Sequence, residues 1–427
     1  MHVYLGIDLG TSGVRAIAID ADGRPVAQAR APLPEPVGEG PQREQDPELW
    51  WGAVRQALAA LLREVPAIDV AALAVDGTSA SLLVTDADGR PLAPALMYND
   101  ARSVAEAHRI AQLAPAESGA HGPTAALAKL LWLRARHPAA RHALNQADWV
   151  TGRLLGRFGL CDENNALKLG YDPVSRRWPA WLGSLGVPDD LLPDPVPPGT
   201  VLGTACPTAA QETGLSPATR LVAGTTDSVA AFLATGARER GAAVTSLGST
   251  LVLKVLSERP VFSSRHGVYS HRLGDRWLAG GASNTGGTAL LRHFTPEQLE
   301  ALSRGLDPKR PTGLHYYPLP RPGERFPRPD PTLTPRLAPR PSNEERFLQG
   351  LLEGIAAVEY AGYRLLARLG APYPTHVLSA GGGARNLTWT AIRTRLLGVP
   401  VGRARHAEAA YGAALLARDG GQPEDVG

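Results

Sequence analysis

The chain has 427 residues, 44% hydrophobic and 20% charged, which suits two or three globular domains and excludes a disordered chain. Lys plus Arg (44) nearly balances Asp plus Glu (41), and no basic stripe interleaves with aromatics, so nothing points to nucleic acid. The two cysteines, Cys161 and Cys206, make neither a disulfide framework nor a zinc-ligand spacing; no apolar segment approaches the roughly 18 residues of a membrane span, and a soluble cytoplasmic protein is expected.

An apolar strand (Val3, Leu5, Ile7) delivers Asp8 into a loop of Gly10, Thr11, Ser12 and Gly13, and a second apolar run, Val14 to Ile19, leads away. Strand, carboxylate, small-residue turn and returning strand suit the phosphates and metal of a nucleotide: glycines admit phosphate oxygens to backbone N–H groups, hydroxyls donate, and the carboxylate faces hydrated Mg2+. No Lys follows and no helix opens, unlike a Walker loop. The alternative is a tight hairpin whose Asp is satisfied by its own turn. The spacing then predicts a helix over 46–65, with Asp46 as N-cap and Pro47 at its first position. A buried strand, Val70 to Val75, leads to Asp76-Gly77-Thr78-Ser79; a strand starts at Leu82, and Thr124 to His137 reads as a helix stopped by Pro138. The proline-dense stretch 187–200 separates these elements from the second half of the chain.

From about 221 the pattern restarts. Leu221-Val222-Ala223 leads to Gly224-Thr225-Thr226-Asp227 and an apolar helix, and residues 244–253 look like a worn copy of 6–19, with Ser246 where Asp8 stood. Val377-Leu378-Ser379-Ala380-Gly381 echoes the strand-to-loop turn at 75–78. Such a duplication implies two like α/β domains facing across a cleft, one supplying the metal-side acid and the other hydrogen-bond donors. Residues 308–341, dense in Pro and Arg, read as a surface excursion; Ser342 with Glu345 reads as a capping box for the helix ended by Gly370. An Ala-rich helix near 406–418 closes the chain.

Asp227, at a helix start that favours its charged form, suits a general base for an attacking alcohol; helix capping is the plainer reading. Gly381-Gly382-Gly383 and the 280–287 run offer bare backbone for a nucleoside. Asp76 to Ser79 and Asn99-Asp100-Ala101-Arg102 are either ordinary turns or polyol-recognising clusters. His121, His137, His266 and His271 lack partners at ligand spacing, and Trp50-Trp51 reads as core.

The ordered set Ile7-Asp8-Leu9-Gly10-Thr11-Ser12, Glu44-Gln45-Asp46-Pro47, Asn99 to Arg102, Gly224 to Asp227, Ser246 to Thr250, Gly381 to Asn386 and Gly412-Ala413-Ala414 resembles the FGGY carbohydrate kinases over nearly the whole chain. The resemblance implies two ribonuclease-H-like domains of the actin/hexokinase/Hsp70 ATPase superfamily: residues 1–220, joined by the last helix 406–427, and residues 221–405. It implies ATP with Mg2+ and phosphoryl transfer to a sugar hydroxyl, with closure excluding water. By position, Asp227 resembles the catalytic base and Asp8 the Mg2+-side acid. Thr11, Ser12, Gly13 and Arg15 resemble the first phosphate loop, Gly248, Ser249 and Thr250 the second, and Gly281, Thr285, Gly382, Gly383 and Asn386 the adenosine site. Asp8, Ser12, Gly13, Thr78, Ser79 and Asp227 fall where the sugar would lie. The Met-His-Gly of xylulokinases and the Arg-Glu pair of glycerol kinases are missing from the Asp76 to Ser81 loop, which is most similar to that of compact D-ribulose kinases of cyanobacteria and plants. Alternatives are a kinase for D-xylulose, ribitol or glycerol, or a sugar-sensing pseudokinase that binds without turnover; the chain is read as a monomer or homodimer.

Overall fold

The apolar run at the amino terminus becomes the central strand, Val3–Leu9, of a six-stranded sheet, and every residue in it is buried. The computed structural model describes residues 2–420. They fall into two compact units: residues 2–234 with Arg272–Gly274 and residues 408–420, and Thr235–His271 with Asp275–Ala407. The division follows Ala234 rather than residue 220, so Asp227 lies in the first unit and not in the second, as the sequence suggested. Of the expected closing segment, residues 421–427 lie outside the described residues.

In unit 1 the strand order is Val201–Thr204, Arg220–Val222, Val70–Gly77, Val3–Leu9, Gly13–Ile19, Pro25–Pro32. The three inner strands Val3–Leu9, Val70–Gly77 and Arg220–Val222 are parallel, and the Gly13–Ile19 strand returns antiparallel. Alternate residues face opposite sides. Val3, Leu5, Ile7 and Leu9 pack with Trp50, Val54, Leu58 and Trp149, the first three from the helix Pro47–Leu61. Asp46 caps that helix, accepting from the Glu48 N–H at 3.0 Å, and Pro47 opens it, as read from the sequence. On the other face Tyr4, Ala72 and Ala74 meet Tyr411, Ala413 and Ala414 of the helix Ala409–Gly420. This approach needs glycine: a Cβ on Gly6 would stand 1.9 Å from the Ala410 carbonyl oxygen, and one on Gly412 would stand 1.8 Å from that of Ala230. A small sheet containing Leu82–Thr85, Ala95–Leu96 and His142–Asn145 packs a satellite core against the helix Ala126–Arg136.

Unit 2 repeats the scheme. Its strand Ala242–Leu247 pairs antiparallel with Leu251–Ser257 and parallel with His376–Ala380, just as Val3–Leu9 pairs with Gly13–Ile19 and Val70–Gly77. Leu247 pairs with Leu251 across the turn as Leu9 does with Val14, which puts Ser246 in the Asp8 position. The helix Glu344–Arg368 lays Leu348, Leu351, Leu352 and Ile355 into the core. Two readings change. Asn343, not Ser342, caps this helix, accepting from the Arg346 N–H at 2.7 Å. Residues 308–341 are not merely a surface excursion, since Tyr316, Leu319 and Phe326 are buried. Glu324 is buried there too, accepting from Ser283 Oγ at 2.6 Å and the Asn284 N–H at 2.8 Å. Among the described residues no helix is long and apolar enough to cross a membrane.

Candidate active site

Ligands of open α/β sheets gather at the carboxyl ends of parallel strands. In unit 1 that end is lined with acids. Asp8 and Asp76 are direct partners near the ends of adjacent parallel strands. The next residue, Gly77, bridges to Thr226, which brings in Asp227 at the first turn of the helix Asp227–Ala234. Gly224 permits this, because a Cβ there would lie 1.8 Å from the Val75 carbonyl oxygen. Asp227 Oδ1 accepts the Ser228 N–H at 2.5 Å, and the side chain stays part-exposed, able to meet a substrate proton.

The acids differ in state. Burial raises the Asp8 pKa, although Arg15, 3.1 Å from Oδ2, pulls against it. Asp76 is fully buried, and burial first, then the Asp8 and Asp227 charges, push its pKa well up. Among the described residues no N–H or hydroxyl reaches either Asp76 oxygen, and these two acids can hydrogen-bond to each other only when one is protonated. Oxygens so placed beside Asp8 suit a hard divalent cation.

The first loop is closed by its own Gly10 N–H, which donates to the Gly13 carbonyl (3.0 Å), and braced from outside by buried Gln45, which donates to the carbonyls of Thr11 (3.4 Å) and Pro34 (2.7 Å). Gln45 in turn accepts from Trp50 Nε1 at 2.6 Å, which gives the Gln45 and Trp50 positions their job. Ser12 is exposed, and Thr11, Gly13 and Gly10 are part-exposed. In the Asp76 to Ser81 loop the Thr78 hydroxyl donates to Gln146 Oε1 (2.8 Å) and lies 2.5 Å from Ser81 Oγ, so it is committed to shaping the loop. Ser79 Oγ and Gln146 Nε2 have no partner among the described residues. Lys129 Nζ, fully buried, donates to the carbonyls of Ala80 and Met97, each at 2.7 Å. It thereby fastens Ala80, held at φ +73°, and the turn before Asn99. Asp100 and Arg102 do not join the site: Arg102 pairs with Asp100 (2.7 Å) and Glu44 (2.6 Å) and closes a structural knot. Asp148, Cys161 and Asp162 form a buried acidic group, but its carboxylates are satisfied, Asp148 by Asn145 and Asp162 by Asn164 and Asn165.

Unit 2 holds a groove of about 950 Å³. Gly248 and Ser249 line one wall, Gly382, Gly383, Arg385 and Asn386 another, and Leu290, Leu291, Leu299 and Leu352 supply apolar surface. Gly382 opens onto free space, and Gly383 lies where a Cβ would strike Trp389 at 2.6 Å and Leu247 at 2.8 Å. Apolar walls with bare backbone and a few polar groups suit a nucleoside. Two expected residues are elsewhere. Gly281 sits under the Phe326 ring, 2.5 Å from an added Cβ, and Thr285 is fully buried with its hydroxyl donated to the Pro318 carbonyl. Neither they nor Thr250 line the groove. Sequence reading missed Leu291, Leu299 and Ser303, although the capping box of Thr295 and Gln298 marks the helix Pro296–Ser303 that bears two of them.

Residues 3–234 match the FGGY family of carbohydrate kinases, N-terminal domain, and residues 243–418 its C-terminal domain. A xylulose kinase of Bacillus subtilis is 27% identical, with 98% of this chain and 88% of the relative covered; one of Streptomyces rubiginosus is 32% identical, covering 97% and 87%. A crystal structure of a "xyloylose kinase" from Brucella ovis superposes with a TM-score of 0.88 at 27% identity, covering 98% of this chain and 90% of that one.

Proposed function

The chain belongs to the FGGY family of carbohydrate kinases, and on that premise we propose that it transfers the γ-phosphate of ATP to a hydroxyl of a pentulose, D-ribulose foremost, yielding D-ribulose 5-phosphate. The observation that carries this reading is the row of Asp8, Asp76 and Asp227 at the ends of three adjacent chain segments. Asp227 takes the proton of the attacking hydroxyl as its oxygen bonds to phosphorus, and ADP leaves with the electrons of the broken P–O bond. Asp8 would hold Mg2+, which when bound draws charge from the phosphate oxygens. Thr11, Ser12, Gly13 and Arg15 serve one set of phosphate contacts, and Gly248, Ser249 and Thr250 another. Gly382, Gly383 and Asn386 lie against adenosine, supported by the groove they line. Ser79 Oγ, buried and unpartnered, is suited to a sugar hydroxyl, with Thr78 shaping its loop.

D-Ribulose is favoured by the Asp76-Gly77-Thr78-Ser79 loop, which lacks Met-His-Gly. D-Xylulose is the second reading, favoured by the names of the curated relatives. An ADP-release screen of ketoses, aldoses and polyols, compared by kcat/KM, decides. The highest value with D-ribulose supports the proposal; a higher value with D-xylulose moves the substrate to the second reading. ADP binding with no turnover of any sugar defeats the kinase itself.

A further inference from the structure

Beneath the groove of unit 2 lies a polar knot with no exposure to solvent. Arg393 Nε and Nη2 meet Glu359 Oε2 and Oε1 at 2.6 and 2.7 Å, both side chains being 0% exposed. Arg393 Nη1 reaches Ser379 Oγ at 2.6 Å, and Thr245 Oγ1 reaches Glu359 Oε1 at 2.6 Å and Tyr363 at 2.8 Å. Thr245 and Ser379 are direct partners on adjacent parallel strands. Two residues beyond Thr245 its strand ends at Leu247 and opens Gly248-Ser249-Thr250; two residues beyond Ser379 stands Gly381, which opens the triple glycine. Glu359 comes from the helix that gives Leu352 to the groove, and Arg393 from the helix Leu387–Leu397, whose cap Asn386 lines it.

A buried ion pair is weak evidence for stability, because apolar residues of similar volume often do as well. A guanidinium fork does something apolar packing does not: it fixes direction and distance to each partner at once. We propose that the Glu359–Arg393 knot, through Thr245 and Ser379, sets the spacing of the two glycine loops and so positions the groove for its nucleotide. The inference rests on the reading of that groove as the ATP site. Its residues are positioning residues, since none of them lines the groove.

The test is calorimetric titration of ADP into three proteins: wild type, Thr245→Val/Ser379→Ala, and Glu359→Leu/Arg393→Met, with circular dichroism to establish folding. Both variants are expected to fold and to bind ADP roughly tenfold more weakly, an effect in the range found for residues that act on a site without touching ligand. KM for ATP rises with it, while KM for the pentulose and kcat at saturating ATP stay within about twofold of wild type. A folded Glu359→Leu/Arg393→Met protein with wild-type ADP affinity overturns the proposal. Should that pair fail to fold, the shape-conserving Thr245→Val/Ser379→Ala protein decides by the same criterion. Wild type that binds no ADP removes the ATP-site reading and this inference together, whereas wild-type binding with unaltered variants sinks the inference alone.

Discussion

Replacing Lys129 with Met removes a buried amine whose titration is coupled to folding. Burial, and secondarily the Lys168 charge, lowers its pKa from the ordinary 10.5 to about 7. Below about pH 7 both the folded and the unfolded chain hold this proton; between about 7 and 10.5 only the unfolded chain does. Stability from this group is therefore present above 10.5 and lost as pH falls towards 7. The gap of about 3.5 pH units, at 1.36 kcal/mol each, corresponds to about 5 kcal/mol. Neutral lysine still donates to the carbonyls of Ala80 and Met97, so the sugar-side loops keep their fastening at high pH. The unfolding free energy of wild type minus that of Lys129→Met should rise by about 1.4 kcal/mol per unit through pH 8 and 9. Urea titrations from pH 6.5 to 10, read by the fluorescence of Trp50, Trp132 and Trp149 in unit 1, measure it; groups common to both proteins cancel. A difference that stays flat from pH 7 to 10 refutes the depressed amine.

Asp227→Ala should lower kcat by roughly 10²- to 10⁴-fold, the usual worth of a positioned base, and leave ADP affinity within about twofold; near wild-type turnover would remove Asp227 from the mechanism. Gly412→Ala, whose methyl would stand 1.8 Å from the Ala230 carbonyl oxygen, should cost unit 1 about 3 kcal/mol in urea titration. Gly52→Ala, in a helix with open space around the new methyl, should instead gain about 1 kcal/mol, and equal effects would mean that Gly412 does not press against Ala230.

What could be read from the sequence was what neighbours in the chain decide. The Asp8 turn, the Asp46–Pro47 helix start and the repeated strand pairing are set by residues within one or two turns of each other. What could not be read depends on distant partners. Composition averages over 308–341 hid Tyr316, Leu319 and Phe326, which anchor that segment to the core one side chain at a time. Gly281 looked like a nucleotide glycine, but its small size serves the Phe326 ring. Ser342 lost its capping place to Asn343 because the same helix start accepts either and the chain entered one residue later. Lys129 and Gln146 gave no sign of burial, since a lone charge or amide in a sequence carries no record of the carbonyls or hydroxyls it will meet.

The covering of the Gly6 face by the helix Ala409–Gly420 has a consequence for how the molecule is made. The strand leaves the ribosome about 400 residues ahead of its cover. At about 5–20 residues per second, the strand waits about 20 to 80 seconds. Thr235–His271 and Asp275–Ala407 emerge in that interval and have a core of their own to complete. The closing helix also holds Gly412 against Ala230, in the helix that Asp227 begins. The row of acids therefore sets only after residues 235–407 have been made and the helix Ala409–Gly420 has docked.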